Sequence, residues 1–246
     1  MTLTRAAPRI AVLVFPGTWS ERDFAHVAGE VLGWEVRLVW HTELDLGDPD
    51  AIVLPGGFAH GDHLRTGAIA RFSPVMERVR AFADDGGPVM GSCNGFQILC
   101  EAGMLPGALM RNDHLEFRCD WQALRVAAAD GPWLGDLAPG ETISLPISHG
   151  QGRYVADDSV LDELEGAGRV ALRYANAAGE VTDAANPNGS LRGIAGILNA
   201  RRNVLGLMPH PERAAEAEVG GTDGLRLFRS LDRWLVERPA RAERPV

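Results

Sequence analysis

Cys93 stands in the segment Gly91-Ser92-Cys93-Asn94-Gly95-Phe96-Gln97, a G-x-C-x-G frame that follows the apolar run Pro88-Val89-Met90. A thiol between two glycines, where a buried strand gives way to a helix, is the cysteine counterpart of the nucleophile elbow. The sharp turn strains the backbone, and the glycines let neighbouring chain pass close by. A helix N-terminus also favours an anion, which suits a thiolate. Cys93 is therefore a candidate nucleophile for acyl transfer. Cys100, beside Ile98 and Leu99 on the same helix, and Cys119 read instead as buried structural thiols.

A thiolate enzyme needs a base and a group that fixes the base. The apolar run 204–208 delivers Pro209-His210-Pro211-Glu212. Two prolines stiffen the backbone around His210, and Glu212 is near enough in sequence to orient the imidazole. The tetrahedral oxyanion needs N–H donors with no side chain in the way. Pro55-Gly56-Gly57-Phe58, at the end of the apolar run 51–54, offers them, and the N–H groups of Gly57 and Asn94 are the natural pair.

His149, in the loop Ser148-His149-Gly150-Gln151-Gly152, reads as a contact for substrate or for a partner. His60-Gly61-Asp62-His63 lacks the further donor cluster that a metal would need, so it reads as polar contacts to solvent or to the edge of a substrate. His26, His41 and His114 read as structural. No metal site is expected.

The elements that must position these groups alternate along the first half. A strand is expected over 9–15, where the apolar stretch before Pro16-Gly17 is too short for a signal peptide. Ser20 reads as the N-cap of a helix running to about Leu32. Strands follow over 35–40, 51–54 and 88–91, and helices over 75–83 and 94–102. The second half is richer in strands, over 143–147, 169–174, 193–199 and 204–208. A last helix over 223–236 puts Leu227, Leu231, Trp234 and Leu235 on one face. Short apolar strands between helices predict an α/β fold with a mostly parallel central sheet covered on both faces, and ligands beyond the strands' carboxyl ends. Without repeats or a long linker, residues 1–246 read as one domain, with 238–246 a frayed tail.

Composition excludes several functions. A net charge of −9 leaves no footprint for phosphate-driven nucleic-acid binding. No apolar run approaches the ~20 residues that a membrane span requires. Three cysteines with no CxxC spacing fit neither a disulfide framework nor a zinc site, and point to a reducing cytoplasm.

The order of these motifs (a Gly-Gly loop, then G-x-C-x-G-x-Q, then a late H-P-E) resembles the class I, or triad, glutamine amidotransferases, which implies a flavodoxin-like fold. Phe15-Pro16-Gly17-Thr18, Gly61-Asp62 with Leu64-Arg65, Asn186-Pro187-Asn188-Gly189-Ser190, Ile194-Ala195-Gly196-Ile197 and Met208-Pro209-His210-Pro211-Glu212-Arg213 extend the likeness over nearly the whole chain. They narrow it to the glutaminase subunits of phosphoribosylformylglycinamidine synthase. The resemblance implies that Cys93 forms a γ-glutamyl thioester, that His210 is the acid and base, and that Glu212 orients it. The resemblance also implies that Gln97 helps to hold the glutamine, and Gly56 and His149 are further candidate substrate contacts.

The resemblance also implies that ammonia passes to an ATP-dependent synthetase subunit, PurL, often with a small subunit, PurS. ATP and Mg2+ are expected there, and no cofactor is expected in this chain, which has no P-loop. Departures fall at Trp19 and Ser20, where the family usually carries Cys and Asn, and near His60, Thr66 and 112–117. Two rival readings are weaker. A stand-alone cysteine hydrolase or peptidase would lack the H-P-E end, and a silent binding subunit would be free to lose Cys93, His210 and Glu212.

Overall fold

Alternate residues of the first strand face different cores: Ile10 and Val12 pack on one side of the sheet, Ala11 and Leu13 on the other. A strand buried on both faces reads as a continuous apolar run, which is why 9–15 shows no alternation. The computed structural model describes residues 7–237, so the expected tail at 238–246 lies outside the described residues.

The strands are β1 (Arg9–Val14), β2 (Glu35–Trp40), β3 (Ala51–Leu54), β4 (Val89–Ser92), β5 (Ala108–Met110), β6 (Arg118–Val126), β7 (Thr142–His149), β8 (Arg153–Val155), β9 (Val170–Tyr174), β10 (Ile194–Leu198) and β11 (Val204–Leu207). The helices are α1 (Glu21–His26), α2 (Val75–Asp84), α3 (Asn94–Glu101), α4 (Asp158–Gly166) and α5 (Leu225–Glu237). Nine strands form one sheet in the order β2-β1-β3-β4-β11-β10-β9-β6-β7, and β5 pairs with β8 alone. From β2 to β11 every pairing is parallel; from β11 to β7 every pairing is antiparallel.

One face is covered by α1 and α5, through Phe24, Leu227, Phe228 and Leu231. The other is covered by α2, α3 and α4, through Val79, Phe82, Phe96, Leu99, Leu161 and Leu164. Covering both faces is what a parallel sheet requires. No helix among the described residues is long and apolar enough to cross a membrane.

Three expectations need correction. The helix after Ser20 keeps α-geometry only to His26 and continues as a π-helical turn, Val27–Val31. Ser20 makes no capping bond; its buried hydroxyl accepts the N–H of Gly56 instead, at 2.8 Å. Cys119 is exposed rather than buried, because the first four residues of β6 project from the sheet's edge region into solvent.

Candidate active site

Three strand ends open side by side. Gly91 of β4 lies opposite Leu54 of β3 on one side and Gly206 of β11 on the other. The residues that follow these strands are Gly56-Gly57, Cys93 and His210, so the parallel register alone brings the candidate donors, nucleophile and base to one edge.

At that edge Cys93 takes φ 51 and ψ −107, a conformation that a side-chain-bearing residue adopts only under constraint. Its N–H is held by the carbonyl of Leu207 at 2.8 Å. The flanking glycines have measurable reasons. A Cβ on Gly95 would stand 1.9 Å from the carbonyl oxygen of Leu54, and one on Gly91 would stand 2.6 Å from the Gly95 carbonyl carbon. Only glycine lets α3 dock this closely on β3 and β4. Gly57 has φ +151, and a Cβ there would meet the oxygen of Gly17 at 2.6 Å. Among the described residues, no acceptor takes the N–H of Gly57 or that of Asn94.

His210 is pinned by its own N–H, which donates to the carbonyl of Pro146 on β7 at 2.8 Å. A short 3-10 turn, Pro211–Arg213, folds Glu212 back so that its Oε1 lies 2.6 Å from His210 Nδ1. The other ring nitrogen, Nε2, is buried and without a hydrogen-bond partner among the described residues. Burial opposes a charge on this ring, but the Glu212 carboxylate and then the Cys93 sulfur outweigh it and push the imidazole up to about 10. Ser92 Oγ, one residue before the cysteine, reaches Glu212 Oε2 at 3.3 Å and the Pro209 carbonyl at 3.2 Å.

Two cavities meet at Cys93. One, of about 260 Å³, is lined by Trp19, Gly56, His210 and Arg213; the other, of about 330 Å³, by Asp62, Thr66, Gln97, Arg111, His149 and Gln151. Gly57, Phe58, Phe117 and Ser148 border both. The thiol donates a long contact, 3.7 Å, to the carbonyl of Ser148. Such a pair of clefts around one reactive group has the form of a small-molecule site.

The remaining candidate contacts differ in their surroundings. Gln97 lines the larger cavity, accepting from Asn94 Nδ2 at 2.8 Å and donating to the Gln151 carbonyl at 2.6 Å. Asn94 Oδ1 accepts the N–H of Ala59 at 3.0 Å, tying the Gly-Gly loop to α3. Gly56 borders the smaller cavity, but its N–H and C=O are already paired with Ser20 and Trp19, so it offers a wall and no donor. His149 is buried behind the larger cavity, where burial and then the neighbouring His210 push it down to about 4, leaving a neutral ring near pH 7.

Sequence reasoning missed Ser92, Ser148 and Ser20 as supports of the site, and Arg111 as a lining group. Ser92 could have been suspected, since it precedes the nucleophile at the end of a buried strand. Nothing in the local sequence marks the others. His60 packs edge-on against His41, with ring centres 5.3 Å apart, and lines neither cavity at Cys93. Among the described residues, no three His, Cys, Asp or Glu side chains gather as a metal site.

Known proteins give the same arrangement a family. Residues 7–235 match the CobB/CobQ-like glutamine amidotransferase domain. The phosphoribosylformylglycinamidine synthase subunit PurQ of Salinibacter ruber is 54% identical over 223 residues, covering 91% of this chain and 95% of that protein. The protein of the same name from Gloeobacter violaceus is 55% identical over 223 residues, covering 91% and 96%. A chain in the solved structure of PurLQS from Thermotoga maritima superposes with a TM-score of 0.81 at 43% identity, over 93% of this chain and 99% of that one. The glutaminase domain of the Trypanosoma brucei CTPS, at 13% identity and a TM-score of 0.56 over 92% and 94% of the two chains, shares the fold. The chain belongs to the CobB/CobQ-like glutamine amidotransferases and, within them, to the family of PurQ subunits of phosphoribosylformylglycinamidine synthase.

Proposed function

We propose that this chain is the glutamine-hydrolysing subunit of a phosphoribosylformylglycinamidine synthase, with Cys93, His210 and Glu212 as its catalytic residues. The observation that carries the reading is the meeting, at one sheet edge, of a strained elbow thiol and a buried His210–Glu212 pair inside a common cleft.

Glutamine enters with its side-chain amide at Cys93. The Cys93 thiol gives its proton to His210, the sulfur attacks the amide carbon, and the N–H groups of Gly57 and Asn94 receive the oxygen as it becomes an oxyanion; each such donor is worth roughly 10²–10³ in rate. When the carbon–nitrogen bond breaks, the His210 imidazolium gives its proton to the departing nitrogen and ammonia leaves. A γ-glutamyl thioester remains on Cys93. Neutral His210 then takes a proton from water, the hydroxide attacks the thioester carbon, and as the carbon–sulfur bond breaks His210 returns that proton to the sulfur and glutamate leaves. Glu212 holds the imidazole in one tautomer and stabilises its cationic form. Gln97 and the neutral His149 line the cavity that holds the rest of the glutamine.

Ammonia passes from this site to a PurL-type synthetase subunit, assisted by a small PurS-type subunit. ATP and Mg2+ act on that partner, and this chain uses no cofactor of its own. The relatives' names and the PurLQS complex support the partnership. The chain works as one domain in the cytoplasm, a reading supported by its three unpaired thiols.

The test is glutamate release from glutamine, with and without the synthetase subunit and its nucleotides, by the wild type and by Cys93→Ala. The partner is expected to raise release by the wild type and to leave the variant at background. Equal release by the two with partner present would sink the reading.

A further inference from the structure

The larger cavity holds a carboxylate that the mechanism above does not use. Asp62 Oδ1 is buried against its wall and has no hydrogen-bond partner among the described residues. Left with no cation beside it, burial pushes its carboxyl up to about 6. A buried acceptor without a partner is unfavourable unless something else satisfies it. Its backbone is held in the left-handed region, φ 54, next to Gly61 at φ 68 and His60 at φ 53, so the chain is bent here against its preference.

Arg111 lines the same cavity and forms no ion pair among the described residues. His149, the other titratable group of the wall apart from Cys93, is neutral near pH 7. The smaller cavity is different. Its charged side chains are Arg213, already paired with Asp23 at 2.9 Å, and the imidazolium of His210, already paired with Glu212 at 2.6 Å. Of the two lobes that meet at Cys93, only the larger therefore offers one unpaired acid and one unpaired base.

An amino acid whose side-chain amide lies at Cys93 must place an ammonium and a carboxylate at its other end. We propose that Asp62 receives the α-ammonium of glutamine, with Arg111 facing the α-carboxylate, so that Asp62 selects the free amino acid over amides without the amino group. The inference rests on the glutaminase reading. It assigns Asp62 a binding role that reads the head of the substrate, apart from the triad that breaks its amide bond.

The experiment uses the chain docked on its synthetase subunit, comparing the wild type with Asp62→Asn. One arm follows hydrolysis of glutamine. The other follows the rate at which Cys93 is alkylated by two chloroketones, the glutamine-shaped one that carries an α-amino group and its analogue without that group. Loss of one charge-assisted contact is expected to lower kcat/KM for glutamine about 10- to 100-fold, mostly through KM. Alkylation by the amino chloroketone is expected to slow by a similar factor, and alkylation by the des-amino reagent to keep its wild-type rate. Equal slowing with both reagents would mean that Asp62 only supports the loop, and an unchanged KM would mean that it does not touch the substrate; either overturns the inference. Failure of the wild type to hydrolyse glutamine at all would remove the glutaminase reading itself, a result distinct from both.

Discussion

His210 Nδ1 and Glu212 Oε1 lie 2.6 Å apart, the imidazole with 4% of its side chain exposed and the carboxylate with none. A pair sealed from water in this way cannot be screened by solvent, so the carboxylate acts on the imidazole at full strength. The pair must also be held by the surrounding fold, because removing one partner strands a buried charge.

Stability should therefore depend on pH with a definite sign. The folded protein holds the His210 proton far above the ordinary histidine range, up to about 10, against 6.5 for the unfolded chain. The stabilisation is fully present below about pH 6.5 and is lost as pH rises through about 10, by at most about 1.4 kcal/mol per pH unit. Urea unfolding between pH 6 and pH 10 should show this decline in the wild type. In His210→Asn the decline over the same window should be missing.

Ser92→Ala removes the hydroxyl that reaches Glu212 Oε2 and the Pro209 carbonyl. Ser92 is buried and lines neither cavity, so its effect should pass through the orientation of Glu212 and so of His210. Steady-state kinetics should give kcat reduced about three- to tenfold with KM for glutamine nearly unchanged. The high-pH limb of the rate profile should also move down, because the carboxylate that raises His210 is less firmly placed. A fall in KM affinity with an unmoved pH profile would contradict this role.

Gly56→Ala should damage the site more than the fold. A Cβ there would lie 2.6 Å from His210 Cε1 and 3.3 Å from the Cβ of Cys93. The imidazole must shift to make room, and overpacking of this kind costs about 1–3 kcal/mol. Glutaminase kcat should fall by about 100-fold or more, since a displacement near 1 Å at a reacting group has that scale of effect. A melting experiment should find the variant still folded. Wild-type activity in Gly56→Ala would refute the close approach of the two loops.

The proposed triad is legible in the sequence because each member sits at or just after the point where a buried strand must stop. Cys93 is bracketed by glycines and His210 by prolines, and these residues carry local conformational meaning. Ser20 shows the opposite case. As a serine before an acidic helical turn it has the form of a cap, yet its hydroxyl is claimed by Gly56, 36 residues away. Asp62 is similar, since its motif is visible but the cavity that gives it meaning is built by 111–117 and 148–151. The strand β6 was missed because only Leu124 and Val126 of its nine residues are buried, the other seven being exposed or half-buried. The helix α4 was missed because only Leu161 and Leu164 anchor it. In both, tertiary pairing supplies what local pattern lacks.

Among the described residues the strand β7 ends the large sheet, with a neighbour on one side only. Its Pro146 carbonyl holds the backbone of His210, its Ser148 carbonyl touches the sulfur of Cys93, and its last residue is His149. Base, thiol and cavity wall thus hang from a single boundary strand, like three keys on one ring. Whatever grips the outer side of that strand holds a handle on the proton and the sulfur together.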